Sequence, residues 1–68
     1  MKEGTKVKWA WGGNTAEGTV RKTYERRVTR KLKGSAVVRN GSKADPALYI
    51  EQEDGDGVLK LASEVERA

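Results

Sequence analysis

A run of positive charge between Val20 and Lys33 is the most concentrated chemistry in the chain. Seven of its fourteen residues are lysine or arginine, and one, Glu25, is acidic. Such cations can neutralise the phosphates of DNA or RNA, and an aromatic side chain among them can stack on a base. The candidate nucleic-acid-binding residues are Arg21, Lys22, Tyr24, Arg26, Arg27, Arg30, Lys31 and Lys33. The same run also fits a solvated arm, or one that pairs with the acidic segment Glu51–Asp56.

The four aromatic residues offer a second kind of site. Trp9 and Trp11 lie two residues apart, and Tyr24 and Tyr49 are the only others. A cage for a methylated cation needs two to four rings around one point. If Trp9 belongs to the core, three rings remain, and a peptide groove lined by Trp11 and Tyr49 is favoured over a cage. The alternative function is therefore a protein- or peptide-binding module that uses Trp11, Tyr24 and Tyr49.

The composition argues against catalysis and against a metal site. The chain has no histidine and no cysteine, so the usual pairs of nucleophile and base cannot form, nor can the common zinc sites. We expect a protein that is not an enzyme and has no cofactor and no bound metal.

Charge is divided unevenly along the 68 residues. Residues 1–43 hold 12 Lys/Arg and 3 Asp/Glu, whereas residues 44–68 hold 2 Lys/Arg and 7 Asp/Glu. This asymmetry favours a surface that faces a polyanion, unless the fold interleaves the two halves. The length predicts a single domain, 1–68. Without an apolar leader or membrane-length apolar run, we expect a cytoplasmic monomer with no membrane partner.

The segments that carry the candidate site residues are predicted to form short strands. Alternation and glycine turns predict strands at Lys6–Trp11, Gly18–Tyr24, Ala47–Glu53 and Val58–Ala62, with helix confined to short turns. Gly18, inside a strand, predicts a bulge or a sharp bend. A basic hairpin around Lys33-Gly34-Ser35 lies between them. Its apolar residues, Val28, Leu32, Val37 and Val38, do not settle on one face, so residues 25–43 are expected to form a projecting or mobile arm.

These strands predict an all-β fold, an SH3-like or Tudor-like barrel of about five strands with the basic hairpin as an insertion. Trp9, in mid-strand, is predicted to be buried, and Trp11, at the strand's end, to be freer. The predicted core consists of Val7, Trp9, Val20, Leu48, Ile50, Leu59, Leu61 and Val65.

Four stretches of the chain carry a family resemblance. The segments VKW, EGTV, DPALYIEQEDGDGVLK and SEVE together resemble the hypervirulence-associated protein Tudor-domain family, and the run from Asp45 to Glu64 is the most specific. The resemblance implies a Tudor-like, SH3-type barrel. Tudor domains elsewhere bind methylated lysine or arginine, and related barrels bind nucleic acid, so the function implied is binding.

Overall fold

The computed structural model of the chain describes residues 2–68. These residues form seven strands, followed along the chain as β1 (Lys6–Trp11), β2 (Asn14–Tyr24), β3 (Arg27–Leu32), β4 (Ser35–Asn40), β5 (Ala47–Gln52), β6 (Gly57–Leu61) and β7 (Glu66–Arg67), with a 3-10 turn at Ala62–Glu64. Five strands form one sheet in the order β6-β5-β2-β1-β7, and β3 pairs with β4 in a separate hairpin. The predicted all-β class and the four predicted strands are confirmed.

The strand β2 joins the two halves of the large sheet. A two-residue turn, Gly12-Gly13, pairs Trp11 with Asn14, so β2 begins four residues before the predicted Gly18. Gly12 has a φ of 51°, a conformation that glycine adopts at little cost. Further along, β2 leaves β1 and pairs with β5. The strand β2 therefore pairs with β1 through residues 14–19 and with β5 through residues 18–24.

Gly18 is required by close packing rather than by a bend. A Cβ atom there would lie 2.6 Å from the Ile50 Cγ2 atom and 2.8 Å from the Glu51 carbonyl oxygen. Real Cβ atoms do not approach other atoms this closely, so only glycine lets β2 and β5 meet here. The β-bulge itself lies between Val20 and Lys22.

The main core lies inside the curled five-stranded sheet. It consists of Val7, Trp9, Val20, Leu48, Ile50 and Val65. The predicted contrast between the two tryptophans is confirmed, because Trp9 is 5% exposed and Trp11 is 68% exposed. Trp9 is a core residue, and Trp11 is free to contact a ligand.

A second apolar cluster was not predicted. Leu59 was assigned to the main core, but it lies with Val28 and Ala47 in a separate cluster. The reason is the alternation along β6: Val58 packs against the main core, so Leu59 points to the other face of the sheet. Leu61 is half-buried beside this second cluster rather than fully buried.

The hairpin of β3 and β4, called the basic hairpin below, covers this second face. The predicted hairpin is confirmed, and three of the four apolar residues that were not expected to settle on one face do share one, whereas Val38 lies on the other face, opposite Thr29. The turn of the hairpin is Lys33-Gly34, with φ values of 51° and 80°, and this turn places Arg30 opposite Val37. Val28 and Leu32 therefore share the inner face with Val37 and pack with the second cluster.

The two edges of the large sheet are β6 and β7. Within residues 2–68 these two strands do not pair with each other, so the barrel is not closed by hydrogen bonds. No helix in the same range is long and apolar enough to cross a membrane.

Candidate nucleic-acid interface

The outer face of the basic hairpin carries exposed cations. Along β3, Arg27, Thr29 and Lys31 are exposed, and they alternate with the inward-facing Val28 and Leu32. Because the inner face of the hairpin packs against the sheet, the side chains of its outer face point into solvent. Arg27 lies two residues before Thr29 and Lys31 two residues after it, and both side chains point away from the core.

Arg30, by contrast, is held on the inner face between two tyrosines. Its guanidinium carbon lies 3.9 Å from the centre of the Tyr49 ring, and its Nη1 donates a 2.9 Å hydrogen bond to the Tyr24 hydroxyl. Arg26 approaches the Tyr24 ring more loosely, at 5.4 Å. Stacking of this kind is attractive because the ring face is negative. Arg30 therefore fastens the basic hairpin to β5, and Tyr24 and Tyr49 are both engaged in that contact.

Two further candidate cations are engaged in ion pairs. Arg21 Nη2 lies 2.9 Å from Glu51 Oε1, and Lys33 Nζ lies 2.8 Å from Asp56 Oδ2. The hydrogen bond between the second pair raises the pKa of Lys33 and lowers the pKa of Asp56. Both pairs are solvent-exposed, and such pairs contribute little to stability. Their consequence is that part of the acidic segment neutralises part of the basic run.

Four of the candidate cations have no such partner. Among residues 2–68, no carboxylate lies within ion-pair distance of Lys22, Arg26, Arg27 or Lys31. All four are exposed. The predicted set of eight residues thus divides into an engaged half, Arg21, Tyr24, Arg30 and Lys33, and an available half, Lys22, Arg26, Arg27 and Lys31.

Arg39 has a structural role that no local pattern in the sequence indicates. It lies on the inner face of β4, opposite Val28, and its Nε donates to Glu64 Oε1 at 2.9 Å. The same carboxylate oxygen accepts the Leu61 N–H at 2.7 Å. Burial raises the pKa of Glu64, but these two donors outweigh it and the net pKa is lowered. The contact ties β4 to the 3-10 turn.

Trp11 lies apart from the tyrosines, in a groove of about 460 Å³ beside β6 that is called the Trp groove below. Its apolar lining comes from Trp9, Trp11, Ala16, Leu32, Val37, Val58 and Leu59, and its charged lining from Lys33, Arg39, Asp54, Asp56 and Lys60. Tyr24 and Tyr49 do not line it. The three aromatic residues of the alternative site are therefore divided between two surfaces, and they do not enclose a common point.

Residues 2–68 contain no group of three or more acidic side chains placed to hold a metal ion. The carboxylates with defined partners, among them Glu51, Asp56 and Glu64, serve ion pairs and turns.

Comparison with protein families matches residues 4–65 to the model described as the Hypervirulence associated proteins TUDOR domain. The chain belongs to this family. The match runs from the turn before β1 to the residue before β7, so both the basic hairpin and the Trp groove lie inside the Tudor domain. No curated protein and no solved structure gives a significant match. The family indicates a small binding module.

Proposed function

We propose that this Tudor domain binds the backbone of DNA or RNA weakly, with little preference for sequence, through the outer face of the basic hairpin together with two exposed cations that precede it, Lys22 on β2 and Arg26 just before β3. The observation that carries the proposal is the set of four exposed cations without carboxylate partners in residues 2–68: Lys22, Arg26, Arg27 and Lys31. Phosphate contacts give affinity and orientation, whereas sequence is read through base edges. A two-stranded hairpin whose outer face is cationic supplies the first kind of contact.

The expected strength follows from the number of cations. Binding through phosphates alone has a Kd of roughly 10⁻⁴ to 10⁻⁶ M at physiological salt. If all four cations meet phosphates of a duplex, the slope of log K against log salt is about −3.6, since each phosphate contributes about −0.9. Single strands give a shallower slope of about −0.7 for each contact.

The test is fluorescence anisotropy with labelled DNA and RNA duplexes over a series of salt concentrations. Arg27→Gln combined with Lys31→Gln should make the slope shallower by about 1.8. The matched control combines Arg21→Gln with Lys33→Gln, which removes equal charge from residues that already have carboxylate partners. It should change the slope less. Arg30 is left unchanged because it packs on Tyr49.

Two results count against the proposal. One is a wild-type protein that shows no salt-sensitive binding to either nucleic acid at low ionic strength. The other is a control variant that loses as much binding as the outer-face variant, because the contribution would then come from net charge rather than from this surface.

A second candidate function is protein or peptide binding at the Trp groove. It is favoured by Trp11, which is the exposed large apolar side chain of the described residues, at 68%. Aromatic side chains are enriched where proteins contact each other, and a groove with apolar walls and a few polar groups is the usual form of a ligand site.

A further inference from the structure

The ends of three hairpins meet at one end of the Trp groove. Trp11 precedes the turn between β1 and β2, Lys33 is in the turn of the basic hairpin, and Asp54 is in the turn between β5 and β6. All three line the groove. Lys33, the cation that lines this end of the groove, is already paired with Asp56. Among the groove-lining residues, the carboxylate of Asp54 has no cation within ion-pair distance.

The other end of the groove is basic. Lys60 lies 5.9 Å from the Trp9 ring, and no carboxylate of residues 2–68 lies within ion-pair distance of it. Arg39 lies at the same end with its carboxylate, Glu64. The groove therefore has an acidic end beside Trp11 and a basic end beside Trp9.

The spacing between the two ends is set by β6. Asp56, Val58 and Lys60 alternate with Gly57 and Leu59, so they lie on one side of the strand. A strand rises about 3.3 Å for each residue, which separates the α-carbons of Asp56 and Lys60 by about 13 Å. Asp54 Oδ1 accepts the Asp56 N–H at 2.9 Å, so the Asp54 carboxylate lies at the Asp56 end of this span. An extended peptide covers the same distance with four residues.

The backbone of Gly57, at the start of β6, faces the unpaired edge of the five-stranded sheet. The Gln52 N–H donates to the Asp56 carbonyl, at 2.8 Å, and the Ala62 N–H donates to the Pro46 carbonyl, at 2.9 Å. Because hydrogen-bonded and non-bonded pairs alternate in an antiparallel ladder, the backbone groups of Gly57 point away from β5. Gly57 is half-buried and lines the groove. It offers one donor and one acceptor beside the apolar walls.

We propose that the Trp groove binds an extended peptide segment of a partner protein that carries one basic and one acidic residue about four positions apart, with apolar residues between them. The basic residue meets Asp54 and the acidic residue meets Lys60. An apolar side chain covers Trp11, whose side chain is 68% exposed. The inference rests on the second candidate function, and it adds the chemistry of the ligand.

The experiment uses four blocked peptides with the same apolar centre. Two carry mixed charge, in the orders basic-to-acidic and acidic-to-basic, and two carry uniform charge, both basic or both acidic. Amide chemical shifts and tryptophan fluorescence are measured during titration of the full chain. At least one mixed-charge peptide should bind about tenfold more tightly than both uniform peptides, and should shift the amides of Gly57, Trp11 and Lys60.

Variants identify the contacts. Trp11→Ala should weaken the mixed-charge peptide about tenfold. Lys60→Glu should weaken binding of the mixed-charge peptide and strengthen binding of the doubly basic one. Lys60→Met, which adds no negative charge, should weaken binding of the mixed-charge peptide without strengthening binding of the doubly basic one. Arg27→Gln combined with Lys31→Gln is the control and should leave peptide binding unchanged, since those residues lie outside the groove. Thermal melting of each variant confirms that it is folded.

Three outcomes overturn the inference. If peptides of uniform and mixed charge bind the groove equally tightly, the groove binds peptides but has no preference for mixed charge, and the inference is wrong. If no peptide shifts Gly57 or Trp11, the second candidate function fails as well. If the shifts map to Arg27 and Lys31, the peptides bind the basic hairpin instead.

Discussion

Trp9 and Trp11 form a matched pair for substitution, because they lie two residues apart on the same strand and differ chiefly in burial. Trp9 is 5% exposed and Trp11 is 68% exposed. Replacing a buried tryptophan by alanine costs about 3–5 kcal/mol of unfolding free energy. Trp11 buries about a third of its surface, and scaling the same cost by that fraction gives roughly 1–1.5 kcal/mol.

The total stability of the domain makes this difference easy to observe. At about 0.05–0.15 kcal/mol for each residue, a chain of 68 residues has a total free energy of unfolding of roughly 3–10 kcal/mol. Trp9→Ala should therefore unfold much of the protein at room temperature. Trp11→Ala should lower the Tm by roughly 5–10 °C, since 1 kcal/mol corresponds to about 4–8 °C in a domain of this size.

Urea unfolding monitored by circular dichroism measures both variants. Trp9→Phe and Trp11→Phe supply a milder pair in which each protein keeps one tryptophan. The fluorescence of the Trp11→Phe protein then comes from Trp9 alone and should resist quenching by acrylamide. The fluorescence of the Trp9→Phe protein comes from Trp11 and should be quenched readily.

Equal Tm values for the two alanine variants would refute the reasoning, because burial would then not decide the cost. Equal quenching of the two phenylalanine variants would refute the assignment of Trp9 to the core. The quenching result remains informative even if Trp9→Ala does not fold.

Two further substitutions test the packing and the electrostatics. Gly18→Ala should cost about 1–3 kcal/mol in urea unfolding, because the new Cβ would meet Ile50 and the β5 backbone. Gly13→Ala is its control: no atom lies within 4 Å of a Cβ there, and a loss equal to that of Gly18→Ala would contradict the steric argument. Because the pKa of Glu64 is lowered on folding, the unfolded chain binds its proton more readily, so the contribution of Glu64 is present above the ordinary glutamate pKa and is lost as the pH falls through the lowered value. Urea midpoints measured from pH 6 to pH 2 should therefore fall less for Glu64→Gln than for the wild type, and parallel curves would count against the stabilising effect of the hydrogen bonds that Glu64 accepts from Leu61 and Arg39.

The sequence predicted the main sheet well because its strands alternate cleanly. In β1 the apolar residues Val7, Trp9 and Trp11 occupy every second position, and the glycines that follow allow a tight turn. The positions of the two tryptophans in the strand also predicted that Trp9 is more buried than Trp11. These signals are local, so one sequence is enough to interpret them.

The basic hairpin was harder to predict because its inner face contains an arginine. Val28, Arg30 and Leu32 have the correct period of two, but a charged residue in the middle hides the pattern. The stacking of Arg30 on Tyr49 joins residues nineteen positions apart and has no local signal. The turn added to the difficulty, since moving its centre by one residue changes which side chains of β4 face inward.

The sequence identified the charged residues of the candidate site but not which of them are paired or lie on the same surface. Sequence alone could not show that Arg21 and Lys33 are paired with Glu51 and Asp56, because those pairs join different hairpins. Nor could it show that Trp11 and Tyr49 lie on separate surfaces.

The position of the basic hairpin between β2 and β5 also bears on how the chain folds. Twenty-two residues separate the end of β2 at Tyr24 from the start of β5 at Ala47, and closing so long a flexible loop costs conformational entropy. A hairpin with a two-residue turn forms within microseconds, and the Gly41 N–H bonds to the Arg26 carbonyl at its base. Once formed, it brings the ends of β2 and β5 together and shortens the loop that remains. We therefore expect the hairpin to be structured in the folding transition state, with φ-values at Val37 well above those at Val65, which precedes the C-terminal strand β7.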